Sequence, residues 1–199
     1  DALIPDHRAT DVQHFDSNVS WWLKAFTKWD SAHFLTIAKD GYTHDKSTAF
    51  MPFFPLCIRM GKTLLEFLVI PTTYCKDDDL YILSALIINS LAFAMTSVIL
   101  KHLSTKWGYD QDRRLRNIFF LHICNPANIF FTTCYSESLF SLFSWTGMLL
   151  NTYDVSIWSV IPYTIASSVR SNGILNATLM FMKLLHVVMV YLQPSITTD

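Results

Sequence analysis

From residue 80 to residue 100 the chain reads LYILSALIINSLAFAMTSVIL, 21 residues without a charge. At about 1.5 Å per residue, an α-helix of that length covers a hydrocarbon layer of roughly 30 Å. Shorter apolar stretches at about 117–134, 136–153, 155–169 and 174–192 predict further helical spans. They are broken by Asn125-Pro126, Gly147 and Pro162, which membrane bundles tolerate where neighbours satisfy the freed backbone. Upstream the pattern changes. Over residues 20–39, Trp22, Phe26, Trp29, His33 and Ile37 recur on one helical face, opposite Lys24, Lys28, Ser31 and Lys39. A Trp-bearing face backed by lysines predicts a helix lying in the membrane interface, with Gly41 as its stop. Residues 49–56 (AFMPFFPL) and 61–70, with Arg59 between them and Lys62 and Glu66 in the second, fit a re-entrant or surface-lying segment better than a full span.

Charge sharpens this division. Of 199 residues 51% are hydrophobic and only 16% charged, against roughly 25% charged in soluble domains. Most of the charges fall in residues 1–79; beyond residue 80 they concentrate in 101–116, leaving Glu137, Asp154, Arg170, Lys183 and the terminal Asp199. That distribution excludes a soluble enzyme, a disordered chain and an electrostatic nucleic-acid binder. The reading is an all-α multi-pass membrane protein, with a first loop over 1–79 and a transmembrane bundle over 80–199. The short loop 101–116 carries five basic residues and is cytoplasmic by the positive-inside rule. Alternation then puts 1–79, the turn near 135 and residues 170–173 on the lumenal side. Asn18-Val19-Ser20 is a glycosylation acceptor that agrees with this side, whereas Asn176-Ala177-Thr178 falls in an apolar span. Because the chain begins at Asp1 rather than Met, it reads as a fragment whose amino-terminal span is missing.

Few residues are candidates for chemistry. Asp30 projects beside the aromatic face, with His33 one turn on; a carboxylate held against apolar rings is costly unless paired or used, or else it sits at the edge and reaches water. Arg170, with Ser167, Ser168, Ser171 and Asn172 around it, could hold a phosphate or anchor a helix end by snorkelling. Glu137 opens a span, where an acidic residue also compensates the helix dipole. The topology brings Asp30, Glu137 and Arg170 to one side of the membrane. Asp77-Asp78-Asp79 reads as a solvated run rather than a metal cluster, and no metal site is expected. Lys183 stands near the middle of a predicted span, where insertion costs roughly 2.5–3.5 kcal/mol, so either it faces the bundle or the boundary lies elsewhere. Cys124 and Cys134 read as small buried hydrophobes; Cys57 and Cys75 could pair in an oxidising lumen.

Six blocks of sequence carry a resemblance. They are Leu3-Ile4-Pro5-Asp6-His7-Arg8-Ala9, then Trp29-Asp30-Ser31-Ala32-His33-Phe34 with Ile37-Ala38 and Gly41-Tyr42, and Ala49-Phe50-Met51-Pro52-Phe53-Phe54-Pro55. Asn125-Pro126-Ala127-Asn128-Ile129-Phe130, Tyr135-Ser136-Glu137-Ser138-Leu139-Phe140 and Val169-Arg170-Ser171-Asn172-Gly173 complete them. In this order the blocks resemble the PIG-V family of GPI mannosyltransferases, from residue 3 to residue 173. Ala32 and Met51 depart from the family's pattern.

The resemblance implies a GT-C-like helical bundle in the endoplasmic reticulum membrane, with interfacial helices in a large lumenal first loop and further spans beyond this chain. It implies transfer of mannose from dolichyl phosphate mannose, in α1,6 linkage, as the second mannose of the GPI precursor. Asp30 would then be the base and Arg170 the phosphate contact, with Glu137, His33 and Asn172 about the substrates. Lipid-linked donor, GPI precursor and membrane lipid are the implied partners, an accessory membrane subunit a further one, with no cofactor and no nucleic acid. The alternatives are another dolichyl-phosphate-sugar transferase and a non-catalytic multi-pass protein. Protein O-mannosyltransferases share a paired Asp-Glu where this chain has Asp30-Ser31, and a transporter should show paired broken helices in corresponding halves.

Overall fold

A computed structural model of the chain describes residues 19–43, 45–68, 76–108, 112–153 and 156–192. Asn18, Cys75, Asp154 and the block at residues 3–9 lie outside them. Among the described residues the structure is entirely helical. The helices are α1 (Asp30–Asp40), α2 (Phe53–Leu68), α3 (Asp77–Lys106), α4 (Asp112–Ile123), α5 (Asn128–Thr132), α6 (Glu137–Thr152), α7 (Val160–Val169) and α8 (Asn176–Leu192). Short 3₁₀ turns at Lys24–Thr27, Asp45–Ala49, Ser156–Ser159 and Ser171–Leu175 link them.

Helix α3 is the axis of the molecule. It is 30 residues long and apolar on all sides. One stripe, including Leu80, Ser84, Ala85, Asn89, Ala92 and Thr96, is buried, while Ile87, Leu91, Met95 and Val98 stay exposed on another. A helix apolar all round belongs in a core or a bilayer. Asp77–Lys106 and Ser171–Met189 are long and apolar enough to cross a membrane, by length and composition, which is consistent with a helical membrane protein. Around α3, α2 packs on one side and α6 on another, and α7 lies against α6. Phe34, Leu35, Phe54, Ile58, Ile82, Leu139 and Val169 join the elements in one core.

The apolar stretch over 117–134 is divided. Helix α4 ends at Ile123 and α5 begins at Asn128, because Asn125-Pro126 turns the chain, with Asn125 Oδ1 accepting from Ala127 N. Gly147 and Pro162 do not interrupt their helices. Gly147 lies inside α6 where a Cβ would stand 2.4 Å from the Tyr163 ring, so it lets α7 approach closely. Pro162 sits in the first turn of α7, where a missing N–H is harmless. Residues 53–68 form one continuous helix, with Pro55 likewise in its first turn. Cys134 is buried, but Cys124 is exposed.

The helix expected over 20–39 is broken. The chain makes a 3₁₀ turn, then Trp29 takes φ 56°, and α1 starts only at Asp30. Of the expected aromatic face Ile37 is buried, but Trp22 and Trp29 are exposed, and Ser31, expected opposite, is buried with Phe34, Leu35 and Ala38. Gly41 does stop α1, at φ 81° with its N–H on the Ile37 carbonyl. Of the acidic run only Asp77 is solvated. Asp78 and Asp79 are each 2% exposed. Asp78 pairs with Lys39 at 2.6 Å, Asp77 with Lys62 at 2.8 Å, and Asp79 accepts from the Ser20 N–H at 2.9 Å and from its hydroxyl. Carboxylates in the first turn of α3 meet the positive end of the helix dipole and fasten residues 20–62 to it. Arg59 adds a clamp from α2, donating to the carbonyls of Ala38 and Lys39 at the end of α1.

Lys183 has partners at the far end. Its Nζ donates to the carbonyls of Asn151 at 2.6 Å and Tyr153 at 3.2 Å, at the C-terminus of α6, where cations are favoured. Lys106 stands over the Tyr153 ring at 4.6 Å, so this end of α6 also meets the end of α3.

Candidate active site

Asp30 is the first residue of α1, placed by the unusual backbone of Trp29. A bulky residue at φ 56° is strained by about 1–3 kcal/mol and persists only where its surroundings hold it. Glu137 is the first residue of α6, preceded by the buried Ser136. Arg170 follows the last residue of α7; its N–H bonds to the Ala166 carbonyl, and its own carbonyl accepts from Gly173 N–H at 2.9 Å. Gly173 is required there, since a Cβ would come within 2.4 Å of the Ser167 backbone.

These three residues line one cavity of ≈ 150 Å³, with Phe34, Phe50, Met51, Tyr135 and Ser171 among its walls. Arg170 Nη1 donates to Glu137 Oε1 in a salt bridge that stays partly open to solvent. The other carboxylate oxygen, Glu137 Oε2, has no hydrogen-bond partner among the described residues. Asp30 is exposed to the cavity and to solvent. The arrangement therefore sets one open carboxylate across from a guanidinium–carboxylate pair.

Tyr135 completes the cavity. Its hydroxyl lies 3.4 Å from the Lys28 carbonyl. Burial pushes its phenol up from the ordinary value; a hydrogen bond with Ser31 opposes this, and the charges of Asp30 and Glu137 reinforce it. The phenol thus remains a neutral donor beside two carboxylates. Its position comes from α3. Asn89, fully buried in the long apolar helix, donates from Nδ2 to the carbonyls of Thr133 and, at 2.8 Å, Tyr135. A lone amide in an otherwise apolar stretch is the signal in the sequence for this contact.

His33 and Asn172 stand apart. His33 stacks on Phe50, ring centroids 4.8 Å apart, so it supports a cavity wall rather than lining it. Asn172 is exposed on the turn after Arg170 and is not among the lining residues. Among the described residues no group of three or more acidic, His or Cys side chains could hold a metal ion.

Comparison with known proteins bears on this geometry. The family described as Mannosyltransferase (PIG-V) matches residues 2–195. The chain is 32% identical over 186 residues to the human GPI alpha-1,6-mannosyltransferase 2, covering 88% of this chain and 36% of that protein. It is 30% identical over 182 residues to the Rattus norvegicus protein of the same name, covering 87% of this chain and 36% of the relative. With GPI mannosyltransferase 2 of Drosophila pseudoobscura pseudoobscura it shares 33% identity over 127 residues, 64% of this chain and 27% of the relative. The chain thus spans about a third of the length of these curated relatives. No solved structure matches it. With its match running over residues 2–195, the chain belongs to the PIG-V mannosyltransferase family.

Proposed function

We propose that the whole protein adds the second mannose, in α1,6 linkage, from dolichyl phosphate mannose to a GPI precursor at the lumenal face of the endoplasmic reticulum membrane. It would do so as a multi-pass enzyme of GT-C type, with residues 1–79 lumenal. The observation that carries the reading is the cavity shared by Asp30 and the Arg170–Glu137 pair in a member of a mannosyltransferase family.

The transfer asks for three things. The acceptor's 6-hydroxyl must lose its proton as its oxygen attacks C1 of the mannose. The C1–O bond to phosphate must break, and the departing dolichyl phosphate, which keeps that electron pair, must be stabilised. Attack opposite the leaving group turns a β-linked donor into an α-linked product. Asp30, an open carboxylate at the cavity, takes the proton. Arg170 meets the charge that develops on the phosphate, exchanging part of its contact with Glu137 for the new anion. Glu137, through the oxygen left without a partner, orients the acceptor's hydroxyl. Tyr135 donates near the same place. Standing at the ends of packed helices, these groups bring donor and acceptor together, which lowers the entropic part of the barrier.

The test is complementation. Full-length Asp30→Asn is restored to cells lacking this transfer step, and GPI-anchored reporters are counted at the cell surface. The reading expects loss of the reporters at matched expression; rescue equal to wild type would remove Asp30 as the base.

A further inference from the structure

We infer that a second, apolar cavity beside the first seats the initial isoprene units of the donor's polyprenyl chain. This deepens the reading above and rests on Arg170 as the phosphate contact. The cavity measures ≈ 300 Å³, and its walls include Ile37, Tyr42, Phe53, Leu56, Arg59 and Ser168. Three stretches of chain pass from one cavity to the other. On α1, Asp30 and Phe34 line the first and Ile37 the second, a spacing that puts the three on one helical stripe, and Gly41, which ends the helix, also lines the second. Residues 49–51 line the first, and Pro52, Phe53, Pro55 and Leu56 the second. Arg170 and Val169 line the first, and Ser168, immediately before them, the second.

Covalent connectivity selects the occupant. In the donor the phosphate is esterified directly to the first isoprene unit, so a tail leaving a phosphate held at Arg170 enters whatever cavity adjoins it. The acceptor also carries a lipid, but the intervening sugars of the precursor separate that lipid from the reacting hydroxyl, and its chains cannot begin there. The walls suit a hydrocarbon. Arg59 does not compete for the phosphate, because its guanidinium is held by the carbonyls of Ala38 and Lys39. At Gly41 nothing lies within 4 Å of where a Cβ would stand, so the wall is open at that point. Leu56 also begins an exposed apolar stripe along α2, continued by Met60, Leu64 and Leu68. A chain longer than the cavity runs out along that stripe towards lipid.

Photolabelling tests this. The full-length protein in membrane vesicles is irradiated with a mannosyl polyprenyl phosphate carrying a diazirine on its first isoprene unit, and labelled residues are mapped by mass spectrometry. Labels are expected within residues 37–42 and 52–59. Leu56→Trp is expected to lower labelling at least fivefold and to raise the donor KM with little change in kcat, while Leu56→Met keeps the labelling. Labels concentrated on another helix, or labelling indifferent to Leu56→Trp, would overturn the inference. So would a diazirine-bearing phosphatidylinositol labelling these residues in place of the prenyl probe. Asp30→Asn separates the two claims: it is expected to stop transfer and leave labelling intact. Surviving transfer refutes the catalytic reading, and the labelling map decides the tail site independently.

Discussion

At the scale of single residues, the site depends on which charges have partners. Arg170 is engaged by Glu137, and a planar guanidinium can share itself between a carboxylate and a phosphate in a way an ammonium cannot. Arg170→Lys is therefore expected to raise the donor KM by about 10-fold or more, the worth of a charge-assisted contact being about 1.5–3 kcal/mol; steady-state kinetics with varied donor checks it. Glu137→Gln keeps the shape but weakens the hold on Arg170, and is expected to change the acceptor KM more than the donor KM. Glu137 and Arg170 could be read from the sequence because stray charges in apolar surroundings are conspicuous, and Asp30 because it falls beside an aromatic face. Tyr135 could not, since a tyrosine at a helix boundary is ordinary, and only its place between Ser31, Asp30 and Glu137 makes it part of the site. Lys183 looked anomalous for a related reason: hydropathy sees its charge and not the two carbonyls that hold it.

At the scale of elements, the site stands where helix ends meet. The turn 133–136 is held to α3 by Asn89. Asn89→Leu leaves the two carbonyls without their donor and is expected to cost about 1–3 kcal/mol. It should lower the unfolding temperature in detergent and reduce kcat through the displaced Tyr135; were the role of Asn89 one of packing alone, kcat would be unchanged. The sequence showed the long apolar helix clearly, because 21 uncharged residues allow little else. It misjudged the first helix because helical periodicity ignores a single backbone angle. Trp29 at φ 56° interrupts the repeat, and the buried face becomes that of Ser31, Phe34, Leu35 and Ala38. It also merged residues 117–134, since both sides of Asn125-Pro126 are apolar and only the turn chemistry separates them.

At the scale of the molecule, the described residues between Val19 and Lys62, in the charge-rich first third, are tied to the core. Lys39, Lys62, Arg59 and Ser20 bind them to the start of α3 and to each other. Burial would lower the Lys39 pKa, but the hydrogen bond and charge of Asp78 outweigh it and hold the ammonium above its ordinary value. Such a group contributes stability below the ordinary lysine range of about 10.4 and loses it as pH rises through the raised value. Lys39→Met leaves the buried Asp78 without its cation and, with Lys39 partly exposed, is expected to cost about 1–2 kcal/mol. The gap in melting temperature from wild type should be constant between neutral pH and pH 9 and close at more alkaline pH. These ties were hidden because an Asp-Asp-Asp run before a span looks the same whether solvated or paired; the distant lysines decide it.

The central claim is that Asp30 faces an Arg170–Glu137 pair in order to move mannose from a lipid phosphate. The most direct measurement uses purified full-length protein, radiolabelled dolichyl phosphate mannose and a precursor carrying one mannose, with wild type and Asp30→Asn compared at equal donor occupancy. The account predicts a two-mannose product from wild type and a loss of kcat in Asp30→Asn of about 100-fold or more. An unchanged kcat in the variant, or no mannose transfer by wild type, would contradict it.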